Sequence, residues 1–345
     1  MKVSAARAAA ADWVRRHAAR EPGFVGAYFS GSTVYLPLDA ELPVGSDVDV
    51  MVVSEREGAS HGRTKFVHDG ALIEASSQPW STFASVDTVH SAHSLRFDSI
   101  IADPSGRLAA VRAVVVREFA EPSRVRRRCR GLWTATVQAL GDLDPHAPWP
   151  SQVMDWAFKT SWTALLLLVA DLRNPTVRLR YLAAREVLAE HGLTDRYPDL
   201  LDQLGCRDLT RERAEHHLEE LALTFDAATG VARTKFGFSS DISAIARPVA
   251  IDGIGEQIRL GNHREVVFWL VATYSRCHEI LAADAPELDR ERGPAFAAML
   301  GDLRLRSPDD LANRAQATVA FLPALWDAME AIMDNPRQPR GHQPV

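Results

Sequence analysis

Apolar residues first recur at helical spacing in the alanine-rich stretch Ser4–Arg20, which carries Trp13 and Val14 and is closed by Pro22-Gly23, so an opening helix is expected. The period then shortens to two. Phe24–Ser30 and Asp47–Ser54 read as strands, separated by a short helix or turn over 32–36 and a loop holding Pro37, Pro43 and Gly45. Thr64–His68 and Ala71–Ser76 flank Asp69-Gly70, and an Asp-Gly pair between two apolar-rich runs predicts a hairpin. Pro79–Asp87 has the look of a helix start, and His90–Arg107 contains an apolar strand followed by the turn Asp103-Pro104-Ser105-Gly106.

From Leu108 onward the pattern is helical. Leu108–Glu121 has helical apolar spacing, and Ser123–Arg130 carries Arg124, Arg126, Arg127, Arg128 and Arg130. Pro145, Pro148 and Pro150 mark a loop and the expected domain boundary. Beyond it, Ser151–Leu172, with Trp156, Phe158 and Trp162, reads as a buried core helix. Further helices are expected over Thr176–His191, Leu209–Gly230, Gly261–Ala283, Gly293–Leu303 and Pro308–Met333. The fold class is therefore α/β (α+β): an N-terminal domain over 1–145 with a small mixed sheet, an all-α bundle over 146–334, and a poorly ordered tail over 335–345 with Pro336, Pro339, Gly341 and Pro344.

Composition narrows the function classes. The 345 residues are 46% hydrophobic and 24% charged, values that belong to a globular protein. A net charge of −6 argues against a dedicated nucleic-acid binder, which shows a basic footprint. Cys129, Cys206 and Cys277 match neither a metal spacing nor a disulfide framework, which fits a reducing interior. The charged N-terminus does not read as a signal peptide, and the apolar run Ala164–Ala170 is too short to span a bilayer, so a cytoplasmic protein without membrane partners is expected.

The chemistry concentrates between Tyr28 and Val53. Asp47 and Asp49, two apart on a strand, project from one face and repel each other unless a cation lies between them. Flanking Val48, Val50, Met51, Val52 and Val53 favour burial, so the pair suits a hard cation such as Mg²⁺, which takes oxygen ligands and keeps phosphates as partners. Gly31, Ser32 and Thr33 form a turn whose glycine admits a ligand close to the backbone and whose N–H groups and hydroxyls suit phosphate oxygens. Taken singly, each half also describes an ordinary polar loop.

This Gly-Ser turn followed by Asp-x-Asp on the next strand resembles the signature of the polymerase-β-like nucleotidyltransferase superfamily, over Phe29–Val53. The loop between the two halves, with Asp39 and Glu41, is longer than in the family's compact members. The resemblance implies that Gly31, Ser32 and Thr33 hold a nucleoside triphosphate, ATP being the expected donor, and that Asp47 and Asp49 bind two Mg²⁺ ions. It also implies a third carboxylate on an adjoining strand. Glu74, delivered by the hairpin, matches it as metal ligand or as base; the other reading is a solvent-facing edge-strand glutamate. A sheet domain followed by a helical one resembles the aminoglycoside and lincosamide nucleotidyltransferases, in which the helical domain completes the pocket for a small-molecule acceptor. Some such relatives share sites across a homodimer. Competing readings are nucleotidylation of transfer RNA or of a protein, and a silent nucleotide-binding module.

Other residues carry two readings each. Arg178, Arg180 and Arg185 gather on one helix and suit phosphate, since the guanidinium fork pairs bidentately. Arg264, in Gly261-Asn262-His263-Arg264-Glu265, lies in a polar cluster at a helix start, where it either binds nucleotide or belongs to a cap. Arg178 and Arg264 are carried forward as nucleotide-binding candidates. Lys235–Arg247 reads as a connection able to cover substrate. The arginine run over 124–130 is read as a solvated face rather than a steering surface. Lys65 and His68 are read as exposed strand residues rather than phosphate contacts, and His90 and His93 as solvated or satisfied rather than a metal pair.

Overall fold

A computed structural model of the chain describes residues 1–56, 63–84, 93–173 and 177–335. Helix α1 (Val3–Arg16) buries Val3, Ala6, Ala9, Ala10 and Val14, a stripe at helical spacing. That stripe lies on one face of a five-stranded sheet, packing with Ala27, Phe29, Val48, Val50, Ala71 and Ile73. The strands are β1 (Phe24–Ser30), β2 (Val48–Ser54), β3 (Thr64–His68), β4 (Ala71–Pro79) and β5 (Ile100–Ala102), in the spatial order β3-β4-β2-β1-β5. The β2–β4 pair is parallel and the other three are antiparallel, so the sheet is mixed.

The hairpin turn falls on Asp69-Gly70, both with positive φ (47° and 78°), as a two-residue turn of the primed kind requires. On the opposite sheet face, Val25, Tyr28, Val53, Phe83, Leu95, Leu108, Val115 and Phe119 form a second core. Leu108 and Val115 come from α2 (Arg107–Glu118), which follows the expected Asp103–Gly106 turn. There the Asp103 carboxylate accepts from the Ala109 N–H at 2.8 Å. Within the expected helix start at 79–87, Trp80–Ala84 is a short 3₁₀ turn, and 85–87 lie outside the described residues.

Among the described residues, contacts divide the chain into two units, one of Met1–Arg128 with Leu172 and Arg173, the other of Cys129–Asp171 and 177–335. The division falls inside α3 (Pro122–Gly141), not in the proline loop that ends it, where the sequence reading put the boundary. The reason is visible in the first turns of α3, which belong to the first unit. Val125 is buried there, and Arg128 donates to the Phe119 carbonyl at 2.6 Å with its guanidinium 4.1 Å from that ring. Arg124 pairs with Glu118. Arg128 therefore departs from the solvated face expected of the arginine run.

The second unit is helical throughout, with α4 (Trp149–Thr160), α5 (Trp162–Ala170), α6 (Arg180–Glu190), α7 (Tyr197–Leu204), α8 (Arg211–Val231), α9 (Gly253–Arg259), α10 (Val267–Asp284), α11 (Pro286–Asp302) and α12 (Pro308–Asp334). Helix α10 is its axis: Val267 to His278 are all buried, and it packs on α4 and α8. The single helix expected over 151–172 is broken at Ser161, whose hydroxyl accepts from Arg180 Nη1 at 2.7 Å. Trp149–Ala170 is long and apolar enough to cross a membrane, but 72% of its apolar window is buried in the fold, as a core helix is. The chain is thus a mixed sheet followed by a helical array.

Candidate active site

Strand pairing brings the acidic residues together. Asp49 in β2 is the register partner of Glu74 in β4 on one side and of Ser30 in β1 on the other, while Glu74 opposes Lys65 in β3. Register partners leave a sheet from the same face, so Lys65, Glu74, Asp49 and Ser30 form one row across four strands. Asp47 lies just before β2. Asp47, Asp49 and Glu74 each offer a carboxylate oxygen, and these oxygens all lie within 4.8 Å of one another. Ser30 Oγ is 3.1 Å from Ser94 Oγ at the end of the row.

Gly31 closes the site from below. Its backbone (φ 63°, ψ −155°) occupies a region open almost only to glycine, and a Cβ there would lie 1.7 Å from Asp49 Oδ2. Gly31, which begins the turn Ser32–Val34, therefore lies directly against Asp49. Ser32 is partly exposed, but Thr33 is fully buried, its hydroxyl without a hydrogen-bond partner among the described residues. Any hold of Thr33 on a phosphate falls to its backbone, not to the hydroxyl that the sequence suggested.

The electrostatics are those of a crowded acid cluster. Burial, and then the negative charges of Asp47 and Glu74, push the Asp49 carboxyl well above the ordinary carboxylate range. Opposing them, the Lys65 ammonium donates to both Asp47 and Glu74, and the Arg63 fork holds Glu74, with Nη2 to Oε2 at 2.9 Å. Lys65 is thus not the exposed strand residue expected from its position; its side chain is 3% exposed. A lysine on an edge strand is buried here because it opposes Glu74. The sequence held that signal: counting back from a two-residue Asp69-Gly70 turn pairs Lys65 with Glu74. Arg63, also unforeseen, precedes β3 and carries no motif of its own. Glu74 is 7% exposed at its side chain, which removes the solvent-facing reading.

The other candidates have structural partners. His68 lies 3.1 Å from Asp12, which also pairs with Arg15 and Arg16, so it ties the hairpin to α1. His93 is buried among the rings of Tyr35, Phe97 and Phe119; His90 lies outside the described residues. Arg178 and Arg264 belong to the helical unit, away in sequence from the acid row. Arg178 is half-buried just before α6, and Arg264 donates to the Arg207 carbonyl at 3.3 Å. The three arginines of the sequence reading part company: Arg180 is buried against Ser161, and Arg185 pairs with Glu265 (2.8 Å) and Asn262 (2.9 Å). Tyr197 donates to the same Glu265 at 2.6 Å, which makes the polar cluster at 261–265 a packing node. Lys235–Arg247 contains two 3₁₀ turns and a buried Asp241 paired with Arg276 at 3.2 Å.

Searches against family models, curated proteins and solved structures give no match for this chain. The chemistry of the site stands on its geometry. Three carboxylate oxygens at this spacing form a hard donor set that could hold a metal ion.

Proposed function

We propose that this chain is a Mg²⁺-dependent nucleotidyltransferase, which moves a nucleoside monophosphate from a nucleoside triphosphate, ATP being the expected donor, to an oxygen of a small-molecule acceptor. The observation that carries this reading is the contact between Gly31 and Asp49. A triphosphate lying on the Gly31-Ser32 turn would sit against the acids, with backbone N–H groups facing its oxygens. Asp47 and Asp49, with Glu74 beside them, are the residues that would hold Mg²⁺, which when bound would neutralise phosphate charge and stabilise the departing pyrophosphate. The acceptor oxygen would attack the α-phosphorus, the bond between the α-phosphorus and the oxygen bridging to the β-phosphate would break, pyrophosphate would leave, and the acceptor's proton would pass to water. Glu74 has both oxygens engaged, by Arg63 and Lys65, which argues against its acting as the base.

A second reading, a silent nucleotide-binding module, draws on the same pairing, because Lys65 and Arg63 already offset much of the acid charge. Melting temperature measured with ATP, GTP, CTP or UTP, with and without Mg²⁺, tests both. A ligand at a hundred times its Kd adds about 2.7 kcal/mol of stability. The transferase reading expects a Mg²⁺-dependent rise with one nucleotide, absent in Asp49→Asn, and acceptor-dependent pyrophosphate release. A nucleotide-driven rise independent of Mg²⁺ supports the silent module, and no rise with any of the four refutes both.

A further inference from the structure

A cationic side chain lies among the acids. Lys65 donates to Asp47 Oδ2 and Glu74 Oε2 with its own side chain buried, and Arg63 grips Glu74 through its fork. Neither contact is an accident of a long surface side chain. Lys65 is fixed by register opposite Glu74, on the face from which Asp49 also projects. A buried ammonium is stable only when paired, and here two carboxylates pair with it. Charge gives the same answer. Lys65 and Arg63 bring two positive charges to the cluster, the charge of one divalent ion.

We propose that Lys65, aided by Arg63, replaces one of the two divalent cations, so that the site takes a single Mg²⁺ with each nucleoside triphosphate. The inference rests on the nucleotidyltransferase reading above. The single ion is assigned to Asp47 and Asp49, because Asp49 lies toward Ser30 and Gly31 in the row while Lys65 lies beyond Glu74. A second divalent ion would have to displace the ammonium from two carboxylates and leave it buried without either. Lys65 is thereby a positioning and charge-balancing residue that sets metal stoichiometry.

The test counts metal. The full chain is equilibrated with Mn²⁺ and the α,β-methylene analogues of ATP, GTP, CTP and UTP, and the Mn²⁺ and nucleotide retained with the protein are measured after ultrafiltration. One Mn²⁺ per chain with one nucleotide is expected for the native protein, and two in Lys65→Met. Two Mn²⁺ in the native protein overturn the inference while leaving the nucleotidyltransferase reading intact. Retention of no nucleotide overturns that reading and this inference with it. Should Lys65→Met fail to fold, Arg63→Gln, at a side chain 40% exposed, takes its place, with a second Mn²⁺ expected to bind more tightly than to the native protein. The native count decides by itself.

Discussion

Replacing Gly31 by alanine tests the link between turn and acids with a single methyl group. Two costs follow from the geometry. The backbone at φ 63°, ψ −155° is strained for any L side chain, by about 1–3 kcal/mol. The new Cβ would also lie 1.7 Å from Asp49 Oδ2, so either the turn or the carboxylate must move. Gly106 supplies the control: its φ is also positive (72°), but a Cβ there meets nothing within 4 Å. Gly106→Ala therefore carries only the left-handed penalty of about 1 kcal/mol, whereas Gly31→Ala should lose about 3 kcal/mol once the displaced Asp49 is added to the strain. At about 2–4 °C per kcal/mol, melting temperature should fall by about 6–12 °C for Gly31→Ala and by about 2–4 °C for Gly106→Ala. The Mg²⁺-dependent nucleotide shift should vanish only in the former. Equal falls, or a retained nucleotide shift in Gly31→Ala, would refute the contact on which the functional reading stands.

The remaining predictions use other parts of the molecule. Because the folded Asp49 carboxyl is raised, the folded chain holds that proton to higher pH than the unfolded one. Its contribution to stability is present at acid pH and lost as pH rises from about 4 through the folded value. Asp49→Asn should therefore flatten the pH dependence of melting temperature in EDTA and exceed the native protein at neutral pH; a parallel native curve would refute this. Asp241→Ala removes the carboxylate that pairs with the buried Arg276 within the helical unit and should cost about 3–5 kcal/mol, read from urea midpoints. Cys129, Cys206 and Cys277 are fully buried, and burial pushes the Cys206 and Cys277 thiols up. None should react with a thiol–disulfide exchange reagent in the native protein, and all three should react after denaturation.

Features written in local chemistry were legible in the sequence. Alternation marked β1 and β2, Asp69-Gly70 marked the hairpin, and the Gly-Ser turn and acid pair marked the centre of the site. What escaped depended on partners distant in the chain. Lys65 looks like an edge-strand lysine until Glu74 is set opposite it, and the burial of Arg128 depends on the Phe119 carbonyl that it caps. Arg180 and Arg185 have the composition of a phosphate site but the partners of a packed core, Ser161 and Glu265. Periodicity also ran straight through Ser161, because apolar spacing continues on both sides of the break.

The row Lys65–Glu74–Asp49–Ser30 also dictates how this protein tolerates being lengthened or cut. Its members come from four strands, and a residue inserted within β2 or β4 turns every side chain beyond the insertion to the opposite face. With such an insertion ahead of Asp49, that carboxylate no longer leaves the sheet beside Glu74. No fragment ending before Glu74 contains the cluster, and no separate hairpin reproduces it, because the acids meet only when β4 lies parallel beside β2. Insertions that spare the chemistry belong in the loops, where they leave the pairing of all four strands in step.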